Sequence, residues 1–166
     1  MKRIKVINEP TELVPMLRAV ATPVRRDVFK DVSEDWRTMK QIEEKYGPEG
    51  REALFFFEKM KLVETRWQSS ENAQPAKAYH SYYMSFHINT SSPITEISDV
   101  LYAAVMDDKE FEDIEKKILE MVGKEGKFTG DLAEALKISP VMLKGIVKRS
   151  SKLEFKGHRV EAVKIE

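Results

Sequence analysis

The chain has 166 residues, of which 34% are charged and 42% hydrophobic, and its 28 lysine and arginine residues balance 28 aspartate and glutamate residues. This length suits one ordinary domain or two small ones, and the balanced charge does not by itself favour a polyanionic partner. Cysteine is absent, which excludes disulfides, thiolate metal sites and cysteine nucleophiles. Because the sequence shows neither a signal-peptide pattern nor a long apolar run, we expect a cytoplasmic protein that does not associate with membranes.

The first part of the chain predicts two successive helices. Residues 1–8 are compatible with a short strand or a loose tail, and residues 9–12 open the first helix with acidic side chains, which the helix dipole favours. Thr22 is the predicted N-cap of the second helix and Pro23 its first residue. This second helix is expected to end at residues 33–36.

A helix-turn-helix and a β-hairpin are predicted next. Residues 38–46 have helical spacing, residues 47–50 (Gly-Pro-Glu-Gly) form the turn, and a second, strongly apolar helix follows. Alternating residues predict strands at 62–68 and 78–89, joined by a polar loop at 69–77.

The second half of the chain predicts the same order on a smaller scale. Apolar residues at helical period predict helices over 94–106 and from Asp107 to a glycine-rich end at 123–126. A short helix at 128–136 is then followed by a second helix at 141–149, with Ser139 as N-cap and Pro140 just inside it. Residues 153–165 predict a tight hairpin with Gly157 in its turn.

These elements predict a mainly α fold with small β-hairpins, of the α+β class. Its expected architecture is a pair of tandem winged helix-turn-helix domains joined by helices. The predicted boundaries are a winged-helix domain at 9–92, linking and dimerisation helices at 93–126, and a second winged-helix-like domain at 127–166.

The segment 17–32 carries a resemblance to a known family. Its matching positions are Leu17, Ala19, Ala21, Pro23, Arg25, Val28, Phe29 and Val32. Together with the apolar spacing of Leu54, Phe57 and Leu62-Val63, they resemble the ArsR-like family of prokaryotic winged-helix regulators. The resemblance covers about half the chain, and within it an archaeal source is expected.

The resemblance implies a homodimeric regulator that binds double-stranded DNA in a sequence-specific manner. No cofactor is expected. It also implies that the first helix and a helix after the wing form the dimer interface. The candidate interface residues are Leu13, Met16, Leu17, Ile94, Ile97, Leu101 and Val105. The alternative is that these apolar stripes pack within one chain.

Candidate DNA-binding residues occur in both predicted helix-turn-helix units. They are Thr38, Lys40, Gln41, Arg51, Lys77, Lys144, Lys148, Arg149, Lys152 and Arg159. In the first unit, Arg51 could donate to a guanine or could simply pair with Glu49 or Glu52, since this recognition helix is unusually acidic. Charge favours the C-terminal unit for DNA contact, whereas the family resemblance favours the N-terminal one.

A metal site and an enzymatic activity are both unexpected. His80 and His87 are separated by an odd number of residues on a predicted strand, so their side chains face opposite sides and cannot share a metal ion. No nucleophile–base set, phosphate-binding loop or zinc signature occurs in the sequence.

Two other functions remain open beside DNA-binding transcription regulation. The first is a winged-helix adaptor that binds a protein such as a component of the transcription machinery, through exposed Trp36, Phe55 and Phe56. The second is a ligand sensor whose pocket would lie near the hairpin aromatic residues Tyr79, Tyr82, Tyr83 and Phe86, although such residues more often form a hairpin core.

Overall fold

A computed structural model describes residues 3–70 and 72–164. The helices are α1 (Leu13–Ala19), α2 (Pro23–Glu34), α3 (Met39–Lys59), α4 (Ile94–Val105), α5 (Asp108–Val122), α6 (Thr129–Leu136) and α7 (Pro140–Arg149), with a 3₁₀ turn at Pro10–Glu12. The strands are β1 (Ile4–Ile7), β2 (Arg37–Thr38), β3 (Val63–Ser69), β4 (Pro75–Ser81), β5 (Ser85–Ile88), β6 (Lys127–Phe128), β7 (Leu153–Lys156) and β8 (Arg159–Ala162). The predicted α+β class is confirmed.

The described residues form two compact units. The N-terminal unit comprises Leu17–Ile88 with the chain up to Val6, and the C-terminal unit comprises Ile7–Met16 with the chain from Asn89 onward. This division differs from the predicted boundaries at 9–92, 93–126 and 127–166. Both α4 and α5, which were expected to link two domains, belong to the C-terminal unit, as does the 3₁₀ turn.

Local sequence signals explain how the helices of the N-terminal unit begin and bend. The Thr22 hydroxyl accepts a hydrogen bond from the Arg25 amide, and Pro23 is the first residue of α2, as predicted. Within α3 only Gly47 leaves helical geometry, with φ 69° and ψ −157°. This conformation suits glycine, so the predicted four-residue turn is in fact a one-residue kink.

A three-stranded antiparallel sheet of order β2-β4-β3 completes the helix-turn-helix of this unit. The strand predicted over 78–89 is divided between two sheets. It stops at Ser81, whose hydroxyl donates to the Tyr83 carbonyl, and β5 then joins β1 in a separate two-stranded sheet. The loop between β3 and β4 is also shorter than predicted, because β4 already begins at Pro75.

The core of the N-terminal unit lies between α2, α3 and the sheet. Phe57 is fully buried and meets Phe29 edge to face, with ring centroids 5.3 Å apart. Phe56 is also buried, at 1% exposure, and the Arg25 guanidinium lies 4.6 Å from its ring centroid. The prediction that Phe56 is exposed is therefore wrong, because the apolar face of α3 is wide enough to include it.

The C-terminal unit repeats the order helix, short strand, two helices and hairpin, with a three-stranded sheet of order β6-β8-β7. Ser139 caps α7 by accepting from the Met142 amide, and Gly157 occupies the hairpin turn with φ 61°. The core gathers side chains from α4, α5, α6, α7 and the hairpin. Among the fully buried ones are Val100, Ile118, Leu132, Leu143, Ile146, Leu153 and Val160.

No helix within residues 3–70 and 72–164 is both long and apolar enough to cross a membrane.

Candidate nucleic-acid interface

The second half of α3, residues 48–59, is the predicted recognition helix, and one side of it faces solvent. Pro48, Glu49, Arg51, Glu52 and Phe55 are all exposed. The opposite side is buried, and its members are Gly50, Ala53, Leu54, Phe56 and Phe57. The residues expected to face a DNA groove therefore lie on the accessible side of this helix.

Arg51 is the only arginine on the exposed side of this recognition helix. Its Nη1 atom lies 3.2 Å from Glu43 Oε1, and its guanidinium is 5.3 Å from the Phe55 ring centroid. The pairing partner is thus Glu43, in the first half of α3, and not Glu49 or Glu52. More than half of the Arg51 side chain is exposed, so this ion pair is weak and can exchange for another acceptor.

Thr38 and Gln41 have a structural role at the start of α3. The Thr38 hydroxyl accepts from the Gln41 amide, and the Gln41 side chain accepts from the Thr38 amide, which forms a capping box. Thr38 is largely buried, whereas Lys40 is exposed and lies 3.9 Å from Glu44. A DNA contact by these three residues stays a prediction.

Lys77 does not lie on the hairpin loop, where it was expected, but within β4. Its Nζ atom lies 2.5 Å from Glu58 Oε1 on α3, and this hydrogen bond raises the pKa of Lys77. The ammonium group therefore ties the hairpin to the recognition helix.

Trp67 is a solvent-facing aromatic residue that was not selected from the sequence. It is 71% exposed and pairs in register with Lys77, so both side chains lie on the same face of the hairpin. On the other face, the Arg66 guanidinium lies 4.0 Å from the Trp36 ring centroid, and Trp36 stacks on His80. Strand alternation alone did not indicate this exposure, because Val63 lies on the same face of β3 and is buried.

The C-terminal candidates are held within their own unit. Arg149 is 5% exposed and donates to the carbonyls of Ala103 and Met106 at 3.1 and 2.8 Å. The prediction that Arg149 lies on a DNA-facing surface is therefore wrong. Its expected partners were phosphates, but the actual ones are the carbonyl groups at the end of α4.

Lys144 and Lys148 share one face of α7, as predicted, but that face is directed toward Glu9. Lys144 forms an ion pair with Glu9. Burial acts to raise the pKa of Glu9, but hydrogen bonds from Lys144 and Thr11, together with the nearby charge of Lys148, outweigh it and lower the pKa. Both lysines are half-buried.

The remaining two basic candidates lie at the ends of strands in the C-terminal hairpin: Arg159 begins β8, and Lys152 directly precedes β7. Arg159 donates to the carbonyls of Glu125 and Gly126, each at 3.1 Å. Lys152 is exposed, with its Nζ atom 3.8 Å from Glu115. Of these two, Lys152 is the more accessible to a partner.

An apolar stripe runs along the outer side of α4. Ile94 and Val105 are 84% and 71% exposed, and Leu101 is exposed as well. Ile97 is half-buried between them. The inner side of the same helix, with Val100, Ala103 and Ala104, is buried. The predicted dimer stripe thus faces solvent in one chain, and we refer to Ile94, Ile97, Leu101 and Val105 as the α4 stripe.

The predicted dimer residues of the first helix differ in how far they are exposed to solvent. Leu13 packs against the C-terminal core, Met16 is half-buried, and Leu17 is 44% exposed. Leu13 therefore fits the alternative of packing within one chain.

The described part of the chain contains no group of three or more histidine, aspartate or glutamate side chains that could hold a metal ion.

Comparison with protein-family models decides the family. The model described as ArsR transcriptional regulator matches residues 7–164, which is nearly the whole chain. The chain belongs to the ArsR family of transcriptional regulators. No curated protein matches its sequence.

The ArsR match includes the C-terminal unit as well as the segment 17–32 on which the resemblance was based. Membership of the ArsR family makes the chain a transcriptional regulator with a DNA-binding helix-turn-helix.

Proposed function

We propose that this ArsR-family chain acts as a homodimer that reads double-stranded DNA through its N-terminal unit. In this proposal both units are winged helix-turn-helix modules. The second half of α3 is the recognition helix, and the β3–β4 hairpin is the wing. The protein acts where the DNA is, in the cytoplasm, and has no catalytic role.

The observation that carries the proposal is the contrast between the two candidate recognition helices. A helix enters the major groove with one free side, because the groove is only about 12 Å wide. The second half of α3 has such a side, which carries Arg51. In α7, by contrast, Pro140 is the only exposed residue. Accessibility therefore favours the N-terminal unit, although charge in the sequence favoured the other.

The proposed mechanism uses few direct base contacts. Arg51 leaves Glu43 and donates in a bidentate manner to a guanine, and Glu52 can accept from a cytosine amino group. In a homodimer, two recognition helices meet half-sites that lie about 34 Å apart along the duplex. The α4 stripe supports the homodimer, since a solvated apolar stripe of this length is stabilised when a second copy covers it.

The test is a fluorescence anisotropy titration of labelled duplexes from the region upstream of the chain's own gene, repeated at several salt concentrations. We expect saturable binding that persists at physiological salt. Arg51→Gln should weaken specific binding by about tenfold, which corresponds to one lost bidentate contact. Arg26→Gln is the matched control, because it removes the same charge from an exposed site on α2.

Equal effects of Arg51→Gln and Arg26→Gln would indicate a nonspecific charge effect and contradict the recognition role. Absence of binding to any duplex at low salt would contradict DNA binding altogether.

A protein adaptor is the second candidate, and one observation favours it. Phe55 and Trp67 are 46% and 71% exposed, while the acidic and basic residues of the chain balance. Phe55→Ala should then abolish binding to a purified component of the transcription machinery while leaving the thermal unfolding midpoint unchanged. Retained binding by Phe55→Ala would remove this candidate.

A further inference from the structure

Helix α7 packs on three sides against other parts of the C-terminal unit. One side faces the core through Leu143, Ile146 and Val147, which are all buried. A second side packs against α4, and a third lies against the 3₁₀ turn at Pro10–Glu12. The position of α7 in the fold corresponds to a recognition helix, but its surroundings do not.

The contact between α7 and α4 depends on small residues. A Cβ atom placed at Gly145 would lie 2.8 Å from the Ala103 Cβ and 3.5 Å from Val14 Cγ2. The first distance is shorter than two carbon atoms can approach without displacement. Glycine at 145 and alanine at 103 therefore allow the two helices to lie closely together.

Arg149 fastens the C-terminal end of α4. Its Nη1 atom donates to the carbonyls of Ala103 and Met106, and Nη2 lies 2.9 Å from Asp108 Oδ1. Its guanidinium also lies 4.4 Å from the Phe111 ring centroid. The C-terminal end of a helix carries the negative pole of the helix dipole, so a cation placed there is stabilising. The contact of Arg149 with α4 is therefore favourable as well as directional.

A second polar contact joins the two helices near the start of α7. Ser139 Oγ donates to Asp99 Oδ2 on α4 at 2.6 Å, while it also accepts the capping hydrogen bond from the Met142 amide. With the Lys144–Glu9 ion pair, α7 holds both α4 and the segment before α1 by polar contacts. The Ser139–Asp99 hydrogen bond is directional, so it adds to apolar packing in fixing the rotation of α4 about its own axis.

We propose that α7 is an intrachain clamp that holds α4 within the C-terminal unit, and is not a second DNA-reading helix. Gly145, Arg149 and Ser139 are its positioning residues. The clamp uses the inner side of α4 and leaves the α4 stripe directed outward. Its predicted effect on self-association rests on the proposed homodimer, but the clamp itself does not.

The first experiment compares Gly145→Ala with Gly130→Ala in the full chain. Both glycines lie in helices, and alanine at either position gains helix propensity, but a Cβ at Gly130 meets nothing within 4 Å. Hydrogen exchange of peptides covering α4 is measured by mass spectrometry. We expect about tenfold faster exchange of α4 amides in Gly145→Ala and no change in Gly130→Ala. Unchanged exchange in a folded Gly145→Ala would overturn the clamp.

Asp99→Ala is the second variant, in case Gly145→Ala does not fold. It removes the acceptor for Ser139 but leaves the hydroxyl able to cap α7. We expect faster exchange in α4 and a weaker dimer, measured by sedimentation equilibrium, with the dimer dissociation constant rising about fivefold. Wild-type exchange and dimerisation in this variant would overturn the clamp.

A third experiment measures DNA binding by Lys148→Gln, which removes the charge of a lysine on α7. Its duplex affinity should equal that of the wild type, and a loss as large as that of Arg51→Gln would overturn the claim that α7 does not read DNA. If the wild-type chain is monomeric or binds no duplex, the proposed function fails, and the exchange measurement still decides the clamp.

Discussion

Asp31 joins two helices of the N-terminal unit through a single carboxylate oxygen. The Tyr46 hydroxyl donates to Asp31 Oδ2 at 2.6 Å and Lys45 Nζ donates to it at 3.0 Å. Burial acts to raise the pKa of Asp31, but these two hydrogen bonds outweigh it and hold the pKa below its ordinary value. The same contact raises the pKa of Lys45. The ionised form of Asp31 therefore stabilises the folded state.

Asp31→Asn tests this link by its pH dependence. Because the folded-state pKa is lowered, the stabilisation is fully present above the unfolded-state pKa and is lost as pH falls through the folded-state pKa. We expect the variant to lose about 1 to 2 kcal/mol of unfolding free energy at about pH 7. The difference in unfolding free energy between the variant and the wild type should be smaller at about pH 3. Urea unfolding at both pH values measures it.

Asp27→Asn is the control for this experiment, since Asp27 is exposed on the same helix. It should have little effect at either pH. A loss in Asp31→Asn that is equally large in acid and at neutral pH would show that the carboxylate charge is not responsible.

Single residues were predictable where their partners are close in sequence. The caps at Thr22 and Ser139 are confirmed, because each bond spans three residues. Arg149 was misplaced, since its carbonyl partners are 43 and 46 residues away. The sequence around Arg149 resembles any basic end of a helix, and nothing local distinguishes a phosphate from a distant carbonyl as its partner.

At the scale of the element, the start of α3 depends on a cap. Thr38→Ala should lower the unfolding free energy by about 1 kcal/mol, because it leaves the Gln41 amide without its acceptor. Thr38→Ser keeps the hydroxyl and should lose less. Chemical denaturation measures both. If Thr38→Ala is as stable as the wild type, the capping box does not contribute to stability.

The same variant separates capping from DNA contact. Duplex affinity is compared under conditions in which Thr38→Ala and the wild type are folded to the same extent. If capping is the whole role of Thr38, the two affinities should match, whereas a tenfold loss in the variant would support the predicted DNA contact.

Helices were predictable to within a few residues, and one strand was not. Residues 78–89 alternate without interruption, so periodicity alone predicts one strand. The chain divides after Ser81 because β5 pairs with β1, which lies about eighty residues earlier. Similarly, glycine at 47 signalled a break in α3, but the sequence did not indicate that a single residue would suffice.

At the scale of the whole molecule, the α4 stripe should determine self-association. Val105→Glu places a charge on the stripe, and we expect the proposed dimer to dissociate, with weaker DNA binding as a consequence. Thr95→Glu is the control, because it adds the same charge at an exposed position on α4 outside the stripe. Light scattering coupled to gel filtration measures the mass. An unchanged mass for Val105→Glu would assign dimerisation to another surface.

The general order of elements was predictable from the sequence, but the packing of α7 on three sides was not. Each predicted helix-turn-helix has its own local signals, such as Gly47 in one and Ser139-Pro140 in the other. Which candidate recognition helix remains accessible depends on contacts with α4, which precedes α7 by more than thirty residues. One signal was present nevertheless: α7 has apolar residues on more than one side, together with a glycine at 145.

The absence of cysteine makes one measurement the most direct test of the proposal that the N-terminal unit reads DNA. An iron–EDTA group attached to Glu52→Cys is compared with the same group on Lys148→Cys, each bound to an end-labelled duplex. We expect the label at 52 to cut at two sites about 10 base pairs, or a multiple of that, apart, and the label at 148 to give no localised cut. Localised cleavage by the label at 148, with none by the label at 52, would contradict the proposal that the N-terminal unit reads DNA.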